Sequence, residues 1–219
     1  MDRRVAIDRE RSFIYFRIPK AANSVVCYRL VREKFPEVVS ASEAKRKFFK
    51  AQDMSQDEVS NLCERFFLFS FVRNPYSRVA SAYLDKVVRV QGKQAHIVGK
   101  MIGKDIDKIS FLDFCTFVCN GGLYLDPHWF PQVVFIPVGV SRLDFLGKVE
   151  SLDYDYNSLC DVMFWRKRQV EARNEEWSPH HLTKADDRLD DLYCDESEEI
   201  VRSLYGKDFD EFSYDKERG

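Results

Sequence analysis

The sequence predicts an α/β protein: a central parallel sheet with helices on both of its faces. Two junctions carry that reading. Residues 13–18 and 66–72 are short apolar runs, rich in aromatic and β-branched residues, of the kind that form strands buried on both faces. Each is followed by a basic residue, Lys20 or Arg73, then by small polar residues, then by apolar positions at helical spacing. Strands alternating with helices in this way pair in parallel, and the ligands of such sheets sit beyond the carboxyl ends of the strands.

The elements follow in order. Residues 13–18 form a strand with Arg17 as its one polar member, and residues 22–34 form a helix that buries Val25, Val26, Leu30 and Val31. Residues 40–62 are polar and helical, an excursion over the surface. Residues 66–72 form the second strand, and Asn74-Pro75 starts a helix, with Asn as the cap and Pro at the first helical position. Residues 89–108, basic and punctuated by glycine, read as a loop. Phe111 to Cys119 read as a helix stopped by Gly121-Gly122. Residues 133–138 are expected to form a third strand and 145–149 a short fourth. Residues 155–170 and 186–205 are expected helices, and the aromatics of the tail up to Tyr214 pack back on the core.

The totals narrow the function. A chain of 219 residues with 45% hydrophobic and 32% charged residues is read as one globular domain, 1–219, with its core over about 13–214. A net charge of −2 argues against a nucleic-acid partner. The longest apolar stretches, near 66–72 and 133–140, are too short to cross a bilayer, and residues 1–12 contain no apolar leader core. The expectation is a cytoplasmic protein without an integral membrane segment. Six cysteines form no CxxC pair and no zinc spacing, so they are read as buried free thiols, Cys115 and Cys119 sharing a helix face.

Both junctions suit anions, because a helix N-terminus presents unpaired N–H groups and partial positive charge. The first is not a Walker A loop: no glycine precedes Gly92, and Lys20 comes before the turn instead of after it. Pro19 stiffens the strand exit, Ala21 and Ala22 are small enough to admit an anion, and Ser24 offers a hydroxyl. The plain alternative is a solvated lysine at an ordinary turn. At the second junction Arg73, whose planar fork suits bidentate phosphate binding, and Ser81 on the following helix converge on one phosphate. The plain alternative is an arginine paired with a structural carboxylate. His128, in the loop Asp126-Pro-His-Trp-Phe-Pro-Gln132, is the preferred general base, since an imidazole suits removal of a hydroxyl proton near neutrality. A core histidine is its alternative, and Glu64, Asp126 and Glu150 are reserve bases. Trp129 either stacks a sugar or fills core. His96, His180 and His181 are read as surface residues.

Taken together, Arg17-Ile-Pro-Lys20-Ala-Ala-Asn-Ser24, Phe71-Val-Arg73-Asn-Pro-Tyr-Ser-Arg-Val-Ala-Ser81, Asp126-Pro-His128-Trp129, Asp144-Phe-Leu-Gly-Lys-Val-Glu150 and Tyr205-Gly-Lys-Asp208-Phe209 resemble the carbohydrate sulfotransferases, in particular the branch of the HNK-1, chondroitin and dermatan enzymes. The resemblance implies a P-loop-like sheet and a donor, 3′-phosphoadenosine-5′-phosphosulfate, whose sulfuryl group passes to a hydroxyl of a carbohydrate or small glycoside without a metal. It implies that Lys20, Ala21, Ala22, Asn23, Ser24 and Val25 hold the 5′-phosphosulfate, and that Arg73 and Ser81 hold the 3′-phosphate. Lys20 then also assists the leaving group. The heparan 2-O-sulfotransferases resemble this group but place a histidine before the second strand, and no histidine precedes His96 here. A P-loop-like kinase and an inactive nucleotide-binding module are the competing readings. Thermal shift with adenosine 3′,5′-bisphosphate against ATP separates them from a sulfotransferase.

Overall fold

A computed structural model describes residues 4–164 and 188–218. His180 and His181, and the ends of the expected helices at 165–170 and 186–187, lie outside the described residues. The strands are β1 Val5–Asp8, β2 Phe13–Phe16, β3 Phe67–Val72 and β4 Phe145–Lys148. The helices are α1 Asn23–Arg32, α2 Ala41–Arg46, α3 Gln56–Ser60, α4 Leu62–Arg65, α5 Pro75–Tyr83, α6 Lys93–Ile102, α7 Phe111–Phe117, α8 Leu152–Phe164, α9 Leu189–Leu192, α10 Asp195–Leu204 and α11 Gly206–Glu211. Among the described residues no helix is long and apolar enough to cross a membrane. The chain divides into two compact units. The first runs through Val72 and resumes at Phe135; the second runs from Arg73 to Val134 and resumes in the C-terminal part.

The first unit holds a four-stranded sheet of order β1-β2-β3-β4. β2 pairs in parallel with β3, with Phe13 opposite Phe67, and β3 in parallel with β4, with Phe69 opposite Phe145. β1 adds an antiparallel edge that the sequence did not announce, Val5 facing Phe16. Alternation decides the faces: Phe13, Tyr15, Phe69 and Phe71 share a cluster with Val26, Leu30 and Val31 of α1 and Tyr156 and Leu159 of α8. Tyr15 stacks on Phe69 with ring centroids 4.9 Å apart. Ile14, Phe16, Leu68 and Val72 on the opposite face are buried as well, so the sheet is covered on both faces, as the α/β reading requires. Asp144 fixes the register of β4, accepting from the Leu68 N–H at 2.7 Å and donating its own N–H to the Leu68 carbonyl at 2.8 Å. Gly147 is required where it stands, because a Cβ there would meet the Phe71 ring at 2.4 Å.

The second unit is helical and aromatic. Tyr76, Tyr83, Phe111, Phe114, Trp129, Tyr193, Tyr205 and Phe209 form its core. α5 starts as expected, with the Asn74 side chain accepting from the Tyr76 N–H at 2.9 Å and Pro75 at the first position. The aromatics of the tail do pack back: Tyr205, Phe209 and Phe212 are buried.

Three expectations are corrected. Residues 133–138 are not a strand: Gln132–Phe135 is a short 3₁₀ turn. The N–H groups of Gln132 and Val133 both go to the Asp208 carboxylate instead of a ladder. Residues 89–108 are not a loop but contain α6, which buries Ala95 and Val98 on one side and ends at Gly103 with φ of 70°. The glycine read as a loop signal is a helix stop. Cys115 is buried and Cys119 exposed, because α7 passes into a wider π turn at Val118–Gly122 that turns Cys119 off the shared face. Cys27 and Cys160 are buried and Cys63 and Cys194 exposed, so burial holds for only half of the free thiols.

Candidate functional site

In the first unit the candidate residues Lys20, Ala21, Ala22, Asn23, Ser24 and Val25 come together at the turn that opens α1. Lys20 has φ of 67° and Ala22 φ of 48°. Left-handed backbone without glycine costs about 1–2 kcal/mol per residue, strain of a kind that gathers at binding sites. Turns of this kind also line up N–H groups into concave anion sites. Ala21 is wholly buried, so the loop is pinned from below. The α1 ladder begins with the Val26 N–H on the Ala22 carbonyl at 3.0 Å. The amides of Asn23, Ser24 and Val25 therefore precede the first intrahelical bond. No side chain caps this end, and its first turn contains no acid.

One further cation stands here that the sequence reading missed. Lys45 of α2 donates from Nζ to Ser24 Oγ at 2.7 Å. Burial, reinforced by the charges of Arg17 and Arg4 and opposed by Cys27, holds its ammonium below the usual lysine pKa. Burial likewise pushes the Cys27 thiol up, while Arg17 and Lys45 pull it down. Lys45 was hidden inside a polar segment, 40–62, among several other charged residues. Only the pair Ala44 and Phe48, both buried, marks that α2 turns one side inward.

In the second unit Arg73 is held by its main chain. Its N–H donates to Gln132 Oε1 at 3.0 Å, and its carbonyl accepts from Gln132 Nε2 at 2.8 Å. Ser81 lies on α5, whose residues are buried all round the helix; Ser81 itself is 3% exposed. Ser77, one turn before it, is buried as well. The neighbouring Arg78 is equally buried and donates from Nη1 to the Phe130 carbonyl at 2.8 Å.

His128 belongs to a short hydrogen-bonded chain. Its Nδ1 lies 2.5 Å from Asp126 Oδ1, and its N–H donates to the same oxygen at 2.9 Å. Gln94 of α6 donates from Nε2 to Asp126 Oδ2 at 3.0 Å. Burial works to raise the Asp126 pKa, but the bonds from the His128 ring, the His128 amide and Gln94 prevail and bring it to about 2. An ionised Asp126 on Nδ1 selects the tautomer with its proton there and leaves Nε2 basic. Asp126, a reserve base in the sequence, thus becomes the orienting partner of His128. Trp129 is core: it is buried, donates from Nε1 to the Gly122 carbonyl at 2.9 Å, and packs edge-on to Phe114. His96 is exposed, with Nδ1 3.0 Å from the Gly92 carbonyl. Gln94 and Gln132 left no signal in the sequence, since a glutamine's role depends on what it faces.

Comparison with known proteins identifies the family. A family model described as "Sulfotransferase family" matches residues 3–215. Carbohydrate sulfotransferase 14 of Homo sapiens is 21% identical over 175 residues, which cover 73% of this chain and 46% of that protein. The protein of the same name from Danio rerio is 23% identical over 175 residues, covering 72% and 47%. The chain thus matches about half the length of these curated relatives. No solved structure matches significantly.

Proposed function

We propose that this chain, which belongs to the sulfotransferase family, moves a sulfuryl group from 3′-phosphoadenosine-5′-phosphosulfate to a hydroxyl of a carbohydrate or small glycoside. The observation that carries the proposal is the turn opening α1, where Lys20, Lys45 and an uncapped helix end gather positive charge with no acid in the first turn. The loop Lys20–Val25 is assigned the 5′-phosphosulfate, through its amides and the Ser24 hydroxyl. Arg73 and Ser81 are assigned the 3′-phosphate, the group that sets this donor apart from ATP. The word "carbohydrate" in the names of the relatives supports the acceptor class.

Sulfuryl transfer parallels phosphoryl transfer, an in-line displacement in which catalysis is mainly positioning and charge. The acceptor oxygen forms a bond to sulfur as the bond from sulfur to the 5′-phosphate oxygen breaks. The hydroxyl proton passes to His128 Nε2, while Asp126 steadies the imidazolium. Lys20 meets the charge that grows on the leaving oxygen, and adenosine 3′,5′-bisphosphate departs. Thermal shift tests the donor assignment, because a ligand bound only by the folded state raises its melting temperature. Adenosine 3′,5′-bisphosphate is expected to stabilise the chain more than ATP at equal concentration. The reverse order would favour a kinase.

A further inference from the structure

Gln132 is wholly buried, yet both polar atoms of its side chain serve one residue, Arg73. An acceptor on the Arg73 N–H and a donor on the Arg73 carbonyl reproduce what a neighbouring strand would supply, at the point where no strand continues. An amide side chain offers both roles at once, on separate atoms and at every pH. Immediately afterwards, the Asn74 side chain caps α5. Arg73 is therefore held between a buried clamp and a helix cap, with little freedom left in the direction of its Cα–Cβ bond.

The clamp has its own anchor. Asp208 of α11, also wholly buried, accepts from the Gln132 N–H at 2.7 Å and from the Val133 N–H at 3.0 Å. Burial pushes the Asp208 carboxyl upward in pKa, while the Arg78 charge and these two amides pull it down. A buried carboxylate next to a buried arginine is a costly arrangement for merely holding a loop, which backbone pairing does more cheaply. It makes sense where direction has to be held. A guanidinium binds phosphate through two parallel bonds, and such contacts lose strength steeply when the fork is turned or displaced.

We propose that Gln132 is a positioning residue that aims Arg73, and that through Arg73 it sets the preference of this protein for ligands bearing a 3′-phosphate. This rests on the assignment of Arg73 to that phosphate made above. The test is calorimetry on the full chain with two ligands, adenosine 3′,5′-bisphosphate and adenosine 5′-monophosphate, which differ only in the 3′-phosphate. Gln132→Met removes both bonds to Arg73. It should cut the preference for the bisphosphate by about tenfold or more while leaving the monophosphate affinity within about twofold. Arg73→Ala should remove the preference, and adding Gln132→Met to it should cost nothing further, because the two residues act through one contact.

Gln132→Glu keeps the argument testable if the methionine variant does not fold. Its carboxyl can donate to the Arg73 carbonyl only when protonated. The preference should stand near wild type at low pH and fall as the pH is raised, relative to wild type at each pH. Asp208 and Arg78, the charged groups facing this position, are present in both proteins, so the comparison reads what the new carboxyl adds, its coupling to Asp208 included. A wild type that does not prefer the bisphosphate overturns the donor assignment and this inference together. A wild-type preference that survives Gln132→Met, or a Gln132→Glu preference that does not change with pH, overturns this inference alone.

Discussion

The turn that opens α1 and the turn that opens α5 both deliver a chain into a helix, and they manage charge in opposite ways. At α1 Lys45 bonds a neutral hydroxyl and lies near Arg17 and Arg4, while Lys20 and Ala22 adopt left-handed backbone. In the second unit polar side chains hold one another. Gln132 holds Arg73 and Asp208 holds Gln132, while Asp126 pairs with His128 and is itself held by Gln94. The first turn offers an incoming anion an uncapped helix end with no acid in its first turn. The second is organised before any ligand arrives. Losing a cation from the first should therefore cost function but little stability, whereas losing a partner from the second should cost both.

The largest effect is expected at His128. As general base, its replacement by Ala should lower kcat by about 10²–10⁴-fold. The wild-type rate should rise with pH as the imidazole loses its proton, and that inflection should vanish in His128→Ala. Asp126, with its pKa near 2, stays ionised throughout the assay range and adds no second inflection. Because that pKa is depressed, the stability Asp126 contributes is present above the ordinary carboxylate value and is lost as pH falls toward about 2. Asp126→Asn should flatten that acid limb. A slow His128→Ala enzyme with the wild-type pH profile would move the base to Glu64 or Glu150.

Lys20→Ala comes next. A loss of about 10²-fold in kcat, with little change in donor KM or melting temperature, fits a charge that matters most when the leaving oxygen becomes anionic. Rates within a few-fold of wild type would make Lys20 a bystander. Arg73→Ala should weaken adenosine 3′,5′-bisphosphate by roughly 1.5–3 kcal/mol, the scale of a charge-assisted bond. Calorimetry checks this, and unchanged affinity would dismiss the contact.

The smallest effect sharpens the contrast most. Lys45→Met should weaken the bisphosphate only several-fold and leave the free protein as stable as wild type or more so. The sign follows from the lowered pKa. Between the folded value and about 10.4, the unfolded chain binds more protons, so stability rises with pH across that window. Denaturant unfolding of the free protein should show this alkaline rise, and Lys45→Met should remove it. A clear loss of stability in the variant would mean that Lys45 holds the fold together.

Both helix-opening turns were legible in the sequence because each is local: a buried run, a basic residue, and a cap or small residues within a few positions. β4 was legible too, as a short apolar segment. What escaped depends on partners far along the chain. Residues 133–138 look like a strand until Asp208 takes the amides of Gln132 and Val133. Lys45 and Gln94 look like surface residues until Ser24 and Asp126 are seen to face them. β1 is a four-residue edge whose charged flanks disguise it.

The central claim is the transfer itself. The most direct test incubates the chain with 3′-phosphoadenosine-5′-phosphosulfate and a panel of glycans and glycosides, and follows products by mass spectrometry. The account predicts an acceptor that gains one sulfuryl group in step with release of adenosine 3′,5′-bisphosphate, and no gain with Lys20→Ala or His128→Ala on the same timescale. Phosphorylated products with ATP, and none with the phosphosulfate, would contradict it.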